Sequence, residues 1–331
     1  MPSTAGANSR PRLLCTHRRR RRVVSSAASS EAAKQERVEV REACARVLGL
    51  APETELVVEE LSNGFCNDVL SVTGVDKEPL VVKLYSELST LRIPSECRGA
   101  VDLLASEQGW GARVLASDES GIAHVLIPGE TLTEAAVHSE RDLLEPAAEV
   151  VAQCHSAAAP EVFPADEPLV WAWFRRMLDA IAGDVPEFVE GGAIRVEAEV
   201  RAQERALERV GGDVCLCHGD MKPSNLICHR GAPGSPPEVR LIDLELAGPN
   251  YRGFDLMKLF RTDAETFDEQ ALREFLRFYV AKLEHAPESL TAASDDALLA
   301  SVRAFEPLTW LEAAVFFFLL LATHPFPPQE R

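Results

Sequence analysis

The chain has 331 residues, 46% of them hydrophobic, and a formal charge of −18. That is enough apolar material for a sizeable core in two domains or one bilobal unit. The acidic balance excludes nonspecific binding to nucleic acid or anionic membrane, both of which need a basic surface, and suits a cationic substrate.

Residues 1–30 run against this balance, with Arg10, Arg12 and Arg18 to Arg22 and no acidic residue before Glu31. Without them, 27 Lys and Arg face 52 Asp and Glu, a charge of −25. An Arg-rich, Ser-rich, acid-poor segment reads either as a transit peptide for a mitochondrion or plastid or as a disordered basic tail, so the expected location is cytoplasmic or organellar. The eight cysteines form no regular framework and fit reduced thiols. Cys215, Cys217, His218, Cys228 and His229 lie near one another in sequence, but without the spaced knuckles of a structural zinc site. The apolar run Ala313 to Ala322 is shorter than the roughly 20 residues that span a bilayer, which predicts a buried helix and no transmembrane segment.

Along the chain, helical spacing of Val40, Cys44, Val47 and Leu48 starts the ordered part within Glu31 to Leu48. Strands are predicted at Glu55 to Leu61, Asp68 to Thr73 and Leu80 to Tyr85, as an antiparallel meander. A helix over Ser95 to Glu107, stopped by Gly109, precedes strands at Arg113 to Ala116 and Ala123 to Ile127. Pro128 and Gly129 mark a boundary, after which helices dominate. The first carries Leu143, Leu144, Ala147, Val150, Val151 and Cys154 on one face and begins either at Ser139 or at Pro146. A charged helix over Ile194 to Val210 ends at Gly211 and Gly212. Strands at Val214 to Cys217, Leu226 to Cys228 and Val239 to Ile242 lead to helices at Asp268 to Leu283 and Asp295 to Ala322. The expected fold is α+β, with an antiparallel-sheet lobe over 31–128, a mainly helical lobe over 129–331, and a cleft between them.

Phosphoryl transfer requires a carboxylate at the attacking hydroxyl, oxygen ligands for magnesium and a cation on the phosphates. His218-Gly219-Asp220-Met221-Lys222-Pro223-Ser224-Asn225 follows an apolar strand and puts Asp220 and Asn225 on one loop. Asp220 is the candidate base. Asn225, and Asp243 at the end of the strand Val239 to Ile242, are the candidate magnesium ligands. Glu245 either shares the metal or faces the substrate.

These motifs, with Leu241-Ile242-Asp243-Leu244-Glu245 running on to Asn250-Tyr251-Arg252-Gly253-Phe254-Asp255, resemble the choline/ethanolamine kinase family within the aminoglycoside-phosphotransferase and protein-kinase-like superfamily. The resemblance implies a bilobal protein-kinase-like fold, ATP and Mg2+ as cofactors, and an amino alcohol, choline or ethanolamine, phosphorylated at its hydroxyl as the first step of phospholipid synthesis. A homodimer is compatible with it. On residues 61–67 it implies a nucleotide-covering turn, with Ser62, Asn63, Gly64 and Asn67 at the phosphates. It makes Lys83 the phosphate-contacting cation and Glu96 its partner, with Glu107 as fallback. Ile127 to Thr133 resembles the adenine-side hinge, and His155 closes a helix in a structural role. Asp220, Glu245, Tyr251 and Trp310 are the implied acceptor residues.

The acceptor part of the pattern departs from the family. Arg261 and Thr262 stand where a glutamate is expected, and the late helix carries Trp310 alone where choline kinases bring two tryptophans. A thin aromatic box suits ethanolamine, which can donate hydrogen bonds, better than choline. A kinase acting on an aminoglycoside-like or other small hydroxylated metabolite is the alternative enzyme, and a non-catalytic ATP-binding pseudokinase the alternative of another class.

Overall fold

The computed structural model describes residues 31–62, 67–74, 79–164, 167–181, 192–232 and 234–323. α1 (Glu31–Val47) leads into β1 (Val57–Ser62), β2 (Asp68–Thr73) and β3 (Leu80–Leu84). Two helices follow, α2 (Glu87–Arg92) and α3 (Ala100–Gln108), and then the hairpin of β4 (Val114–Asp118) and β5 (Gly121–Val125). The strands make one antiparallel sheet in the order β1-β2-β3-β5-β4, so β5 rather than β4 lies against β3. Leu70, Val72, Val82 and Ala123 from the sheet bury against Cys44, Ala45 and Val47 of α1 as a small separate core.

The single helix expected over Ser95 to Glu107 is broken. Pro94 precedes a 3-10 turn at Ser95–Cys97, and Gly99 takes φ +72 before α3 starts. Proline lacks a donor and a left-handed glycine cannot continue a right-handed helix, so the segment turns twice. Gly109 ends α3 as anticipated, with φ +82 and its N–H on Ala105. Leu88, Ile93, Cys97, Val101 and Ala105 all pack into the larger core of the helical part. α2 and α3 therefore tie the sheet to the rest of the molecule.

Past β5 the chain enters the helical part through Gly129, whose φ is +133; a Cβ there would lie 2.4 Å from the Cys228 carbonyl oxygen. This close approach lets β6 (Glu130–Thr131) pair with a later strand. α4 (Glu134–Ser139) is capped by Thr133, whose Oγ1 accepts from Ala136 N at 3.1 Å. α5 (Arg141–Ser156) begins at neither expected point: Glu140 is its N-cap and Pro146 lies inside it. Only the Asp142 carbonyl, four residues earlier, loses its helical partner there. The predicted apolar face of α5 is buried throughout.

α6 (Leu169–Ile181) and α7 (Gly192–Val210) lead to β7 (Val214–Cys217), β8 (Leu226–His229), β9 (Glu238–Leu241) and β10 (Gly248–Tyr251). β6, β8 and β9 form one small sheet, and β7 with β10 a two-stranded ribbon. α8 (Arg252–Phe260), α9 (Glu269–Lys282), α10 (Glu288–Thr291), α11 (Asp295–Arg303) and α12 (Glu306–Thr323) follow among the described residues. Residues 295–322 are long and apolar enough in composition to cross a membrane. They fold as two helices, with Phe305, Leu308, Val315 and Leu319 buried in the core.

Candidate active site

The loop after β7 is held from below by one carboxylate. Asp255, fully buried on α8, accepts the backbone N–H of His218 at 2.6 Å and of Gly219 at 3.0 Å, and lies 3.2 Å from His155 Nε2. His218 Nε2 donates to the Ile242 carbonyl at 2.8 Å, tying the loop to the end of β9. Gly219, at φ +80, passes so close that a Cβ would lie 2.3 Å from Leu246 O and 2.7 Å from Trp173. The His218 and Gly219 amides and the His218 ring thus find partners across the junction, as the low dielectric there demands.

Asp220 emerges between two lysines: Lys258 Nζ lies 2.9 Å from Oδ1 and Lys222 Nζ 2.9 Å from Oδ2. Burial alone would raise this carboxyl, but the lysines hold it well below the usual carboxylate range. Asn225 donates from Nδ2 to the Asp220 backbone carbonyl at 2.8 Å, which turns its Oδ1 to the other side of the amide. Lys258 also reaches Glu312 on α12 at 2.8 Å, and Arg92 on α2 lies 3.6 Å from Glu312 and 4.0 Å from Glu245. Glu245 in turn pairs with Lys83, and Lys83 with Asp243. A continuous chain of alternating charge therefore links the candidate base to the lysine on β3.

Asp243 adopts φ 64 and ψ 48, the one non-glycine residue with positive φ among the described residues. Backbone in this region is sparsely populated and tends to be retained at functional sites. The turn follows β9 directly and keeps the carboxylate at the strand end, where its side chain is 35% exposed. Burial would raise its pKa; Lys83 brings it below the ordinary value. Asp102 of α3 lines the same cleft as Asp243, with Ala112, Val114, His124 and residues 241, 242 and 244. Burial, opposed by Lys83, lifts the Asp102 carboxyl to about 6.

The structure brings together Asp220, Asn225, Asp243, Lys83 and Glu245. It does not bring Glu96 to Lys83: Glu96 stands exposed on the 3-10 turn, its carboxylate accepting from Ser95 Oγ at 3.2 Å. Because the expected helix breaks at Gly99, Asp102 and not Glu96 or Glu107 shares the cleft with Asp243. Asn67 is buried, donating to Glu245 and accepting from Ser86 N at 2.9 Å, so it joins the sheet to the charge chain instead of presenting a free amide. Ser62 ends β1 opposite Val69, while Asn63 and Gly64 lie outside the described residues.

Two acceptor candidates are also displaced. Trp310 is 48% exposed, with the Arg261 guanidinium 4.7 Å over its ring. It sits about 200° around α12 from Glu312, which faces the site. Tyr251 pairs with Val214, at the end of the β7–β10 ribbon remote from Cys217 and the loop. Its hydroxyl accepts from Trp171 Nε1 at 3.2 Å, and its ring packs on Phe305. Lys222, Lys258, Glu312, Arg92 and Asp102 were not assigned roles from sequence. A signal existed for Glu312, a lone charge inside an apolar run, which is seldom buried unless paired.

An antiparallel sheet with a lysine on its central strand, set over a helical body whose loop-borne Asp and Asn lie beside a strand-end Asp, defines a bilobal protein-kinase-like fold. The chain belongs to the phosphotransferase enzyme family, which its residues 57–290 match. It is 25% identical over 217 residues to probable ethanolamine kinase A of Dictyostelium discoideum, covering 62% of this chain and 60% of that protein. It is 22% identical over 235 residues to ethanolamine kinase 2 of Rattus norvegicus, covering 67% and 59%. The chain thus spans about three-fifths of the length of the curated relatives it matches. An ethanolamine kinase structure from Plasmodium vivax superposes with a TM-score of 0.72 at 15% identity, over 92% of this chain and 86% of that one, which establishes the shared fold.

Proposed function

We propose that this chain is a small-molecule kinase that transfers the terminal phosphoryl group of ATP to the hydroxyl of an amino alcohol, ethanolamine in preference to choline. The observation that carries the reading is Asp220, kept ionised by two lysines on a loop shared with Asn225 and beside the Asp243–Lys83 pair. An ionised carboxylate can accept the hydrogen bond of the acceptor hydroxyl, fix its lone pair toward the phosphorus, and take its proton as the new bond forms. Lys83, the cation at the sheet side of the cleft and paired with Asp243, would meet the phosphate oxygens.

The donor set fits magnesium, since Asn225 Oδ1 and the part-exposed Asp243 carboxylate are hard oxygen ligands of the kind that ion takes together with phosphate oxygens and water. When bound there, magnesium would neutralise charge on the transferring phosphate. Residues 31–128 would then supply the nucleotide side of the cleft and residues 129–331 the acceptor side.

The preference for ethanolamine rests on what surrounds the base. The Phe254 ring already has Lys258 Nζ 5.3 Å from its centroid, Trp173 is fully buried against Gly219, and Trp310 points outward. None of these three rings is free to cage a quaternary ammonium. A second reading, a different small hydroxylated acceptor, is favoured by the same Lys258, whose charge beside Asp220 suits an acceptor with no cation close to its reacting hydroxyl. ADP release with MgATP and a panel of ethanolamine, choline, amino sugars and neutral polyols tests both. Turnover with ethanolamine above choline supports the first reading, turnover confined to the other acceptors supports the second, and acceptor-independent ADP release contradicts both.

A further inference from the structure

β7 and α5 bring together three soft ligands that no sequence spacing suggests. Cys215 and Cys217 alternate with Leu216 and so project from one face of β7, and His155 lies on α5 against them. One ligand atom from each residue falls within 4.8 Å of the other two. The sulfurs are 3.6 Å apart. Two thiolates at about 2.3 Å from a tetrahedral zinc ion stand about 3.8 Å apart, so the strand already holds both at chelating distance.

We propose that His155, Cys215 and Cys217 form a binding site for one thiophilic divalent cation, of the zinc and cadmium class, at the foot of the catalytic loop. The imidazole is prepared for the role. Asp255 faces His155 Nε2, which assigns the ring proton to that nitrogen and leaves Nδ1 with the lone pair that now accepts from the Tyr279 hydroxyl at 2.7 Å. A carboxylate on the far nitrogen is the arrangement that fixes tautomer and orientation in metal-binding histidines. An ion would take the Nδ1 lone pair in place of Tyr279, whose oxygen keeps the Arg252 guanidinium as donor.

The thiols are unequal in a way that suits entry. Cys215 is only partly buried. Cys217 is fully buried, its thiol donating to the Asn250 carbonyl at 3.3 Å. Binding would begin at the more accessible Cys215 and release the thiol protons of both cysteines to solvent, leaving a two-sulfur, one-nitrogen set. Such a set selects soft cations, whereas Asn225 and Asp243 offer oxygens alone. The two sites would not compete for the same ion. Asp255, which also caps the amides of His218 and Gly219, would join this site to the loop that carries Asp220.

The test is titration of the reduced, full-length chain with cadmium, read by sulfur-to-cadmium charge-transfer absorption. A single equivalent should bind with that band. The double variant Cys215→Ser with Cys217→Ser should lose the band and bind about tenfold more weakly or worse, while Cys228→Ser keeps both. Cadmium NMR of the wild-type protein requires no variant and should give the shift of two sulfurs and one nitrogen. A band that survives the double variant, or a shift typical of oxygen-only ligands, overturns the site.

Discussion

Lys258 bridges two carboxylates, with Nζ 2.9 Å from Asp220 and 2.8 Å from Glu312, and is itself only 3% exposed. The pair it forms with Asp220 sets the proton affinity of the candidate base. A carboxyl whose folded pKa is depressed adds stability above its unfolded pKa and loses it as pH falls through the folded value. The same depression keeps Asp220 ionised, and so competent as a base, below the normal carboxylate range. In Lys258→Met, which keeps the aliphatic stem, Asp220 retains only Lys222. The acid limb of kcat/KM should then move to higher pH. An unmoved limb in a variant with wild-type circular dichroism would refute this role for Lys258.

Asp102 gives a pH effect of opposite sign. Its folded pKa of about 6 lies above the unfolded value of about 3.9, so the folded state binds the extra proton between these two values. Stability from this residue should therefore fall as pH rises through that window and stay level above it. Urea midpoints measured across the range should show the decline in the wild-type chain and a flatter profile in Asp102→Asn. Parallel profiles would sink the assignment.

Gly219 and Gly109 separate backbone strain from close approach. Both have positive φ, but a Cβ on Gly109 meets nothing within 4 Å, whereas one on Gly219 would meet Leu246 O at 2.3 Å. Gly109→Ala should cost about 1–2 kcal/mol, the left-handed penalty alone. Gly219→Ala should lose more, and should also lower phosphoryl transfer by displacing the loop. Equal urea midpoints for the two variants would contradict this account of the loop.

Glu96→Ala and Trp310→Ala should leave ATP and acceptor KM within about twofold of wild type, since surface groups away from such features carry little. Asp243→Asn keeps a side chain tolerant of the left-handed region and should retain the fold, while losing turnover on the order of 100-fold or more, as expected if Asp243 holds the proposed magnesium as well as Lys83. Steady-state kinetics beside thermal melts distinguishes these cases. A large loss in Trp310→Ala would return that residue to the acceptor site.

What the sequence made legible was whatever depends on short-range order. That Asp220 and Asn225 share one loop and that Asp243 follows β9 could be read because each relationship is local in the chain, and β2 and β7 begin and end where alternation placed them. Groups that meet only through tertiary packing could not be read. Lys258 finds Glu312 across α8 and α12, and His155 finds Cys215 across α5 and β7. The Glu96 assignment failed because it assumed one unbroken helix, and the left-handed Gly99 re-aims everything after it toward Asp102. Tyr251 sits in a motif beside Asp255, yet its strand runs away from the loop while Asp255 on α8 turns back beneath it.

In the proposed reaction Asp220 directs the terminal phosphoryl group of ATP onto an acceptor hydroxyl. Phosphorus NMR of a reaction with MgATP and ethanolamine tests it most directly. The wild-type chain should convert ATP to ADP and a phosphomonoester at the hydroxyl oxygen, and Asp220→Ala should lower that rate by about 100- to 10,000-fold. ATP decaying only to inorganic phosphate, or the same ester forming undiminished in Asp220→Ala, would contradict the account.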